Sequence, residues 1–123
     1  PRVLAGANVS AQDYLATKRR QQQDKLVMAD AMAGIDALLT PTTPTPAIRL
    51  AEVDQMVFPS RFTRFGNFLE MCALSRPNGF TAEGLPLSLQ INCAGYQEAT
   101  ALRIGWALQQ ASDHHLRLPP MVA

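Results

Sequence analysis

The chain has 123 residues, of which 47% are hydrophobic and 17% charged, and its formal net charge is +1. This composition excludes a mainly disordered chain, and so small a charge gives no reason to expect a nucleic acid or an anionic membrane as a partner. The apolar runs are too short to cross a bilayer, and the first twenty residues contain no apolar stretch of the secretory-signal type. The length suits one compact unit over residues 1–123.

A long helix is the first predicted element. Ser10 with Asp13 three residues later is a capping-box pattern, which predicts a helix from about residue 11 to about residue 33. Its middle, residues 17–25, is polar throughout and should be solvent-exposed or span a gap between packed ends. The apolar run 37–40 then predicts a buried strand, which Pro41 ends.

The second half of the chain predicts two helices and two strands. Apolar residues at helical spacing predict a helix over 62–72, and residues 73–75 predict a short strand that ends before Pro77. Turn signals follow at 78–79 and 83–84. Strict alternation predicts a strand over 87–93, in which Ser88, Gln90 and Asn92 face away from the apolar side.

The last predicted element is a helix over residues 98–111. Its buried stripe should contain Ala101, Ile104, Leu108 and Ala111, flanked by Leu102 and Trp106. Alternating helices and strands indicate the α/β class. Three short strands make a thin sheet for this many apolar residues, which suggests that the sheet needs strands from elsewhere.

The residues with catalytic chemistry do not converge on a site. His114 and His115 are adjacent in a polar tail, where neighbouring side chains point apart, and Lys18 and Lys25 lie in the polar middle of the first helix. Cys72 and Cys93 lack the spacing of a zinc site, and two cysteines make no disulfide framework. We therefore expect buried reduced thiols, a cytoplasmic origin, and no catalytic residue, metal site or cofactor in this chain.

Several short motifs, in order along the chain, resemble the amidase-signature family. They lie at 10–14, 36–44, 46–47, 62–64, 67, 73–75, 77, 79–80, 84–86, 89–90, 98 and 102–104. The resemblance implies an α/β fold in which helices flank a mixed sheet, with 1–123 forming the C-terminal portion of a single amidase-signature domain. It implies an amidase that hydrolyses a carbon–nitrogen amide bond through an acyl-serine. The family's two catalytic serines and its lysine have no counterpart here, so this piece alone should be inactive.

The resemblance also implies a place for this chain in the substrate cavity. Thr42, Thr63, Gly66 and Glu70 match positions that line the acyl side in relatives, although Thr42 and Thr63 could instead be turn and N-cap residues. Relatives often carry glycine at Glu70 and an aliphatic residue at Arg76. In a cavity wall, Glu70 would favour a cationic or hydrogen-bond-donating substrate group.

Two other functions remain open at this point. The parent could be an amidotransferase A-type subunit, which releases ammonia from glutamine for a tRNA-linked amino acid and needs partner subunits. The chain could also be a stand-alone, non-catalytic binding or scaffold module, or a truncated product that folds only partly. For the enzyme we expect a small-molecule amide substrate as the partner. We expect the chain made alone to self-associate, because a divided fold exposes strand edges and apolar faces.

Overall fold

A computed structural model describes residues 2–54 and 57–119. Contacts divide the chain into two compact units, Pro1–Ala33 and Gly34–Ala123. In the described part of the first unit, the α-helices are α1 (Arg2–Ala5) and α2 (Ala11–Ala31). In the described part of the second unit, the α-helices and strands are β1 (Leu38–Pro41), α3 (Arg64–Phe68), β2 (Cys72–Phe80), β3 (Pro86–Cys93) and α4 (Glu98–Gln110). Of the helices in these described ranges, none is long and apolar enough to cross a membrane.

Helix α2 begins with the predicted capping box. The Asp13 N–H donates to Ser10 Oγ at 3.1 Å, and the Ser10 hydroxyl donates to Asp13 Oδ2 at 2.6 Å. Arg20 and Asp24, one turn apart, form an ion pair at 2.9 Å, which at this exposure adds little stability. No residue of α2 is buried, so its hydrogen bonds, cap and side-chain pairs hold the helix within its own unit.

The second unit is built on a three-stranded sheet with the order β1-β3-β2, in which both pairs are antiparallel. The alternating segment predicted as a strand is β3, and it lies in the centre. The helices and sheet confirm the α/β class. The described strands contain no parallel pair, because a turn of a few residues joins β2 to β3 and such turns connect antiparallel strands.

Strand β1 lies at one edge of this sheet and was predicted to be buried. Leu38 is 39% exposed and Leu39 is 50% exposed, so that prediction is wrong for the described residues. An edge strand has a neighbour on one side only, and α4 contacts mainly the other two strands. The apolar run correctly marked a strand but did not show what covers it.

Strand β2 is longer than predicted, and the helix before it is shorter. The helix expected over 62–72 is confined to α3, since β2 already begins at Cys72. The strand continues through Pro77, before which it was expected to end, and through 78–79, where a turn was expected. Its register with β3 shifts between Pro77 and Gly79. A proline is tolerated there because β2 is the other edge strand and a bulge frees the position from the ladder. The turn lies at 81–85, where Gly84 has a φ of 83°.

Helix α4 covers one face of the sheet and forms the core with it. Ile91, Cys93 and Ala101 are buried, and Leu74 and Ile104 pack against them. The predicted stripe is confirmed for Ala101, Ile104 and Leu108. Ala111, however, follows the end of the helix and is exposed, and Leu102 and Trp106 point away from the sheet, 60% and 64% exposed.

The two cysteines are cross-strand partners at the start of β2 and the end of β3. Both are free thiols, as predicted, with Cys93 buried and Cys72 partly buried. The Cys72 thiol donates to the Ala94 carbonyl at 3.3 Å. Burial raises the pKa of the Cys93 thiol, and the nearby Cys72 and Asp36 raise it further. Cys93 therefore behaves as a small core residue at neutral pH.

Candidate functional site

The sheet face opposite α4 is polar. Alternation along β3 directs Ile91 and Cys93 towards α4, so Gln90 and Asn92 point to the other face, where both are buried. Helix α3 lies on this face: Gly66 is buried, and a Cβ added to it would lie 3.7 Å from Asn92 Oδ1. A short helix on a polar sheet surface leaves room beside it for a cavity.

A cavity of about 310 Å³ lies between α3 and the sheet, and we call it the sheet-face cavity. Its lining residues come from β1's extension, the α3 region, β2 and β3: Thr42, Thr63, Gly66, Asn67, Met71, Ala73, Ser75 and Gln90. Three of the four residues predicted from the resemblance are thus brought together from two segments: Thr42 from the extension of β1, and Thr63 and Gly66 from the start of α3. Glu70 is not among the lining residues.

Thr42 is held by the sheet rather than by a turn. Its N–H donates to the Ser88 carbonyl at 3.1 Å, which continues the ladder one residue beyond β1. Its hydroxyl shares a hydrogen bond with the Ser75 hydroxyl at 2.8 Å. These contacts fix the Thr42 side chain at the cavity wall.

Thr63 occupies the N-cap position of α3, as the alternative interpretation expected, but its side chain makes no capping hydrogen bond. Instead the Thr63 hydroxyl donates to the Ser60 carbonyl at 3.3 Å. The position is therefore that of a helix start, while the hydroxyl is turned back to the preceding turn and stays next to the cavity.

Glu70 ends α3 with left-handed backbone. Its φ is 57°, and the Met71 N–H donates to the Gly66 carbonyl at 2.9 Å, which is the hydrogen bond of a Schellman motif. Glycine is the residue that such a position favours, because a Cβ is strained there. This geometry explains why glycine suits the position without reference to a substrate.

Replacing Glu70 with glycine should therefore stabilise the second unit by about 1 kcal/mol, since the left-handed strain of a residue with a Cβ is removed. Chemical denaturation of both variants measures this. The matched control is Glu98→Gly, at the start of α4, where the backbone is helical and the same substitution should destabilise. A loss of stability in Glu70→Gly would show that the carboxylate contributes more than the strain costs.

Sequence reasoning did not select Gln90 and Asn92 as site residues. The Gln90 amide nitrogen donates to the Phe62 carbonyl at 3.2 Å and to Asn92 Oδ1 at 2.5 Å. The Asn92 amide nitrogen donates to the Leu38 carbonyl at 3.2 Å and to Thr40 Oγ1 at 3.4 Å. We call this set of four hydrogen bonds the amide network. The polar side of the alternation in β3 was the available signal.

The histidines lie outside the lining of the sheet-face cavity. His114 is in a 3-10 turn and meets the Phe80 ring edge-on, with centroids 6.0 Å apart, while the Arg117 guanidinium lies 4.1 Å from the centroid of the same ring. Within the described ranges, no group of three or more His, Cys, Asp or Glu residues is arranged to hold a metal ion. These contacts give His114 a packing role against Phe80.

A larger cavity, of about 570 Å³, lies within the segment 43–59 and is lined mostly by apolar side chains, including Pro44 and Phe58. Its described lining residues all come from 43–54 and 57–59, so separate strands and helices do not converge on it there as they do on the sheet-face cavity. The sheet-face cavity is smaller, but separate elements hold its polar groups in place. Hydroxyl and carboxamide groups there can orient a ligand, while its described lining holds no lysine, histidine or carboxylate to act as a general base.

The profile of the amidase family matches residues 2–102 of the chain. The A-type subunit of glutamyl-tRNA(Gln) amidotransferase from Desulfatibacillum aliphaticivorans is 36% identical over 108 residues, which cover 82% of this chain and 22% of that protein. A crystal structure of an amidase matches with a TM-score of 0.79 and 26% identity, over 92% of this chain and 29% of that one. The crystal structure of the corresponding A-type subunit from Thermotoga maritima matches with a TM-score of 0.65 and 25% identity, over 83% and 24%.

The chain thus spans 22% to 29% of the length of these three relatives. Sequence profile, sequence identity and fold agree over most of its residues, and they confirm the resemblance that the short motifs indicated. On these grounds the chain belongs to the amidase family.

Proposed function

We propose that this chain is part of an amide hydrolase and that the sheet-face cavity forms part of the wall around the acyl side of its substrate. The observation that carries the proposal is the convergence on one cavity of Thr42, from the extension of β1, with Thr63 and Gly66, from the start of α3. Family membership supplies the reaction class. The polar and apolar mixture of the lining is typical of a pocket that orients a small molecule.

In the proposed reaction a serine hydroxyl attacks the amide carbonyl, the amine leaves, and water hydrolyses the resulting acyl-serine. The relatives are longer than the matched span, and in this proposal the nucleophilic serine and the lysine belong to that further part. The residues of this chain hold the acyl group. Thr42 and Ser75 offer hydroxyls that can donate to or accept from it, while Met71 and Ala73 exclude water.

Exposed apolar residues support the view that this unit is completed by more protein. Leu38 and Leu39 of the edge strand β1 are both largely accessible, and an accessible apolar edge strand is a surface that natural sheets cover or pair. In the proposed enzyme the sheet continues past β1 with a strand from the further part. Free thiols fit a reducing compartment, so we place the enzyme in the cytoplasm.

A second candidate is an amidotransferase A-type subunit that uses the same site to release ammonia from glutamine. The relative from Desulfatibacillum aliphaticivorans, which bears that name, favours it. This candidate requires partner subunits. The two functions differ in a simple assay, because a free-standing hydrolase releases ammonia from simple amides without any other protein.

The first experiment determines the intact mass of the native protein from its source and assays the same sample for amide hydrolysis. We expect a mass well above the 13.4 kDa of this chain, together with ammonia or amine release. The variant Thr42→Val should then raise KM about five- to tenfold, the effect of one lost hydrogen bond. Thr17→Val, on the exposed surface of α2, is the matched control and should leave KM unchanged.

Two results would contradict the proposal. One is a native protein of 13.4 kDa without hydrolytic activity, which would favour a stand-alone binding module. The other is an active enzyme in which Thr42→Val and Thr17→Val have equal KM values, which would move the acyl site away from the sheet-face cavity. Ammonia release from glutamine only after addition of co-purifying proteins would select the amidotransferase reading instead.

A further inference from the structure

We propose that Gln90 and Asn92 act together as positioning residues, which set the distance between the two walls of the sheet-face cavity. The inference rests on the proposed function of that cavity. Thr42 lies on the wall that continues β1, and Thr63 lies on the wall at the start of α3. The amide network links both walls to the central strand through side chains, in addition to the backbone bond from the Thr42 N–H to the Ser88 carbonyl of β3.

The network connects the walls through a short chain of hydrogen bonds. On one side, Gln90 donates to the carbonyl of Phe62, the residue directly before Thr63. On the other side, Asn92 donates to Leu38 and Thr40, and Thr40 is two residues before Thr42. The bond from Gln90 to Asn92 joins the two sides. A change in either amide therefore acts on both walls.

The donors of the network are fully used. A carboxamide carries two N–H donors, and both Gln90 and Asn92 spend each of theirs within the network. Gln90 is 3% exposed and Asn92 is 0% exposed, and the bond between them is buried, while the bonds to Phe62, Leu38 and Thr40 are partly buried. Buried polar groups that are fully satisfied specify one geometry, because any shift leaves a costly donor without an acceptor.

Stability alone does not call for amides at these places. Apolar side chains of similar size could pack against α3, as Ile91 and Cys93 pack against α4 on the opposite face. Such side chains would supply no donor to the Phe62 and Leu38 carbonyls. What the amides add is direction, since their hydrogen bonds orient the Phe62 carbonyl, the Leu38 carbonyl and the Thr40 hydroxyl relative to β3. A displacement of only about 1 Å at a substrate wall can lower turnover about 100-fold, so such direction matters for catalysis.

The test uses the full native protein with Gln90→Leu and, as a matched control, Ile91→Val. Ile91 is the next residue on β3 and equally buried, but it faces α4. Both variants should lower the melting temperature. We expect Gln90→Leu to lower kcat/KM at least tenfold and Ile91→Val to leave it within twofold at 25 °C. Equal kcat/KM values in the two variants would overturn the positioning role.

A second variant, Gln90→Glu, gives a pH readout. A protonated carboxyl has one O–H donor and can restore one bond of the network, whereas the ionised form has none. Its activity relative to the unaltered protein should therefore rise as the pH is lowered, while that of Gln90→Leu should stay constant. Parallel pH profiles for the two variants would overturn the role of the donors.

Amide hydrogen exchange tests the same inference without an activity assay. In Gln90→Leu, exchange should accelerate at Thr63 and Arg64, whose N–H groups bond to the Ser60 carbonyl, and remain unchanged in α4. If the protein hydrolyses no amide, the proposed function fails, yet this exchange pattern still supports the link between Gln90 and the wall at the start of α3. Unchanged exchange at Thr63 and Arg64 overturns the linkage whatever the enzyme does.

Discussion

Replacing Gly95 with alanine should destabilise the second unit by about 3 kcal/mol, which is at the upper end of the usual cost of overpacking. A Cβ at this position would lie 2.7 Å from the Glu70 carbonyl oxygen. That oxygen belongs to the backbone between α3 and β2, which the Schellman motif and the first β2 pair hold in place. It cannot rotate away as a side chain can. Urea unfolding of the variant measures the loss.

The stability of alanine variants at two other glycines, Gly6 and Gly105, can be compared with that of Gly95→Ala. Gly6→Ala should be nearly neutral, because no atom lies within 4 Å of its Cβ position. At Gly105 the Cβ would lie 2.4 Å from Leu74 Cδ2, the end of a flexible side chain, and alanine in a helix gains about 1 kcal/mol over glycine. We therefore expect Gly105→Ala to cost less than Gly95→Ala despite the shorter distance. The reverse order would show that the junction between α3 and β2 is free to move.

Local patterns predicted the elements whose structure depends on local chemistry. The alternation over 87–93 identified β3, because a strand with α4 on one face and amides on the other needs that period. The capping box of Ser10 and Asp13 identified the start of α2, since both of its hydrogen bonds lie within four residues. These features need no partner from elsewhere in the chain.

The predictions failed where a contact between residues far apart in the sequence determines the local structure. The apolar spacing over 62–72 continues smoothly through Glu70, and nothing in it shows that the backbone there is left-handed and that Cys72 pairs with Cys93. Pro77 was expected to end its strand because proline cannot donate to the ladder. The sequence does not show that a bulge at the sheet edge accommodates it. Tertiary pairing overrides the local preference in both cases.

The candidate site likewise contains residues that the sequence predicted and residues that it did not. Thr42, Thr63 and Gly66 were predicted from motif resemblance, and no periodicity connects Thr42 with Thr63 and Gly66, which lie more than twenty residues further along the chain. The amide network was missed because its acceptors are the carbonyls of Phe62 and Leu38, and a backbone carbonyl carries no sequence signal. The polar side of β3 could show only that something hydrophilic would cover that face.

Arg76→Met should stabilise the protein by about 1–2 kcal/mol, although it removes two hydrogen bonds. Arg76 is 7% exposed and, among the residues that the structure describes, has no carboxylate partner. It donates to the Gly105 carbonyl at 3.0 Å and to Ser112 Oγ at 3.4 Å, while its Nε is buried without a partner. Neither acceptor depends on Arg76 for its hydrogen bonding. Gly105 lies inside helix α4, and the Ser112 hydroxyl keeps its bond to the Leu108 carbonyl.

The control is Arg76→Ala, which removes the charge and also the volume. Because a space is left between β2 and α4, the free energy of unfolding of this variant should be about 2–4 kcal/mol lower than that of Arg76→Met. This is the usual difference between a filled and an emptied core position. Melting of the three proteins at one pH gives the order Met, Arg, Ala. If Arg76→Met and Arg76→Ala were both less stable than the unaltered protein, and by the same amount, the two hydrogen bonds of Arg76 would outweigh both its desolvation cost and its packing. The order Met, Arg, Ala is expected because a buried cation without a counter-charge is costly unless hydrogen bonds offset it.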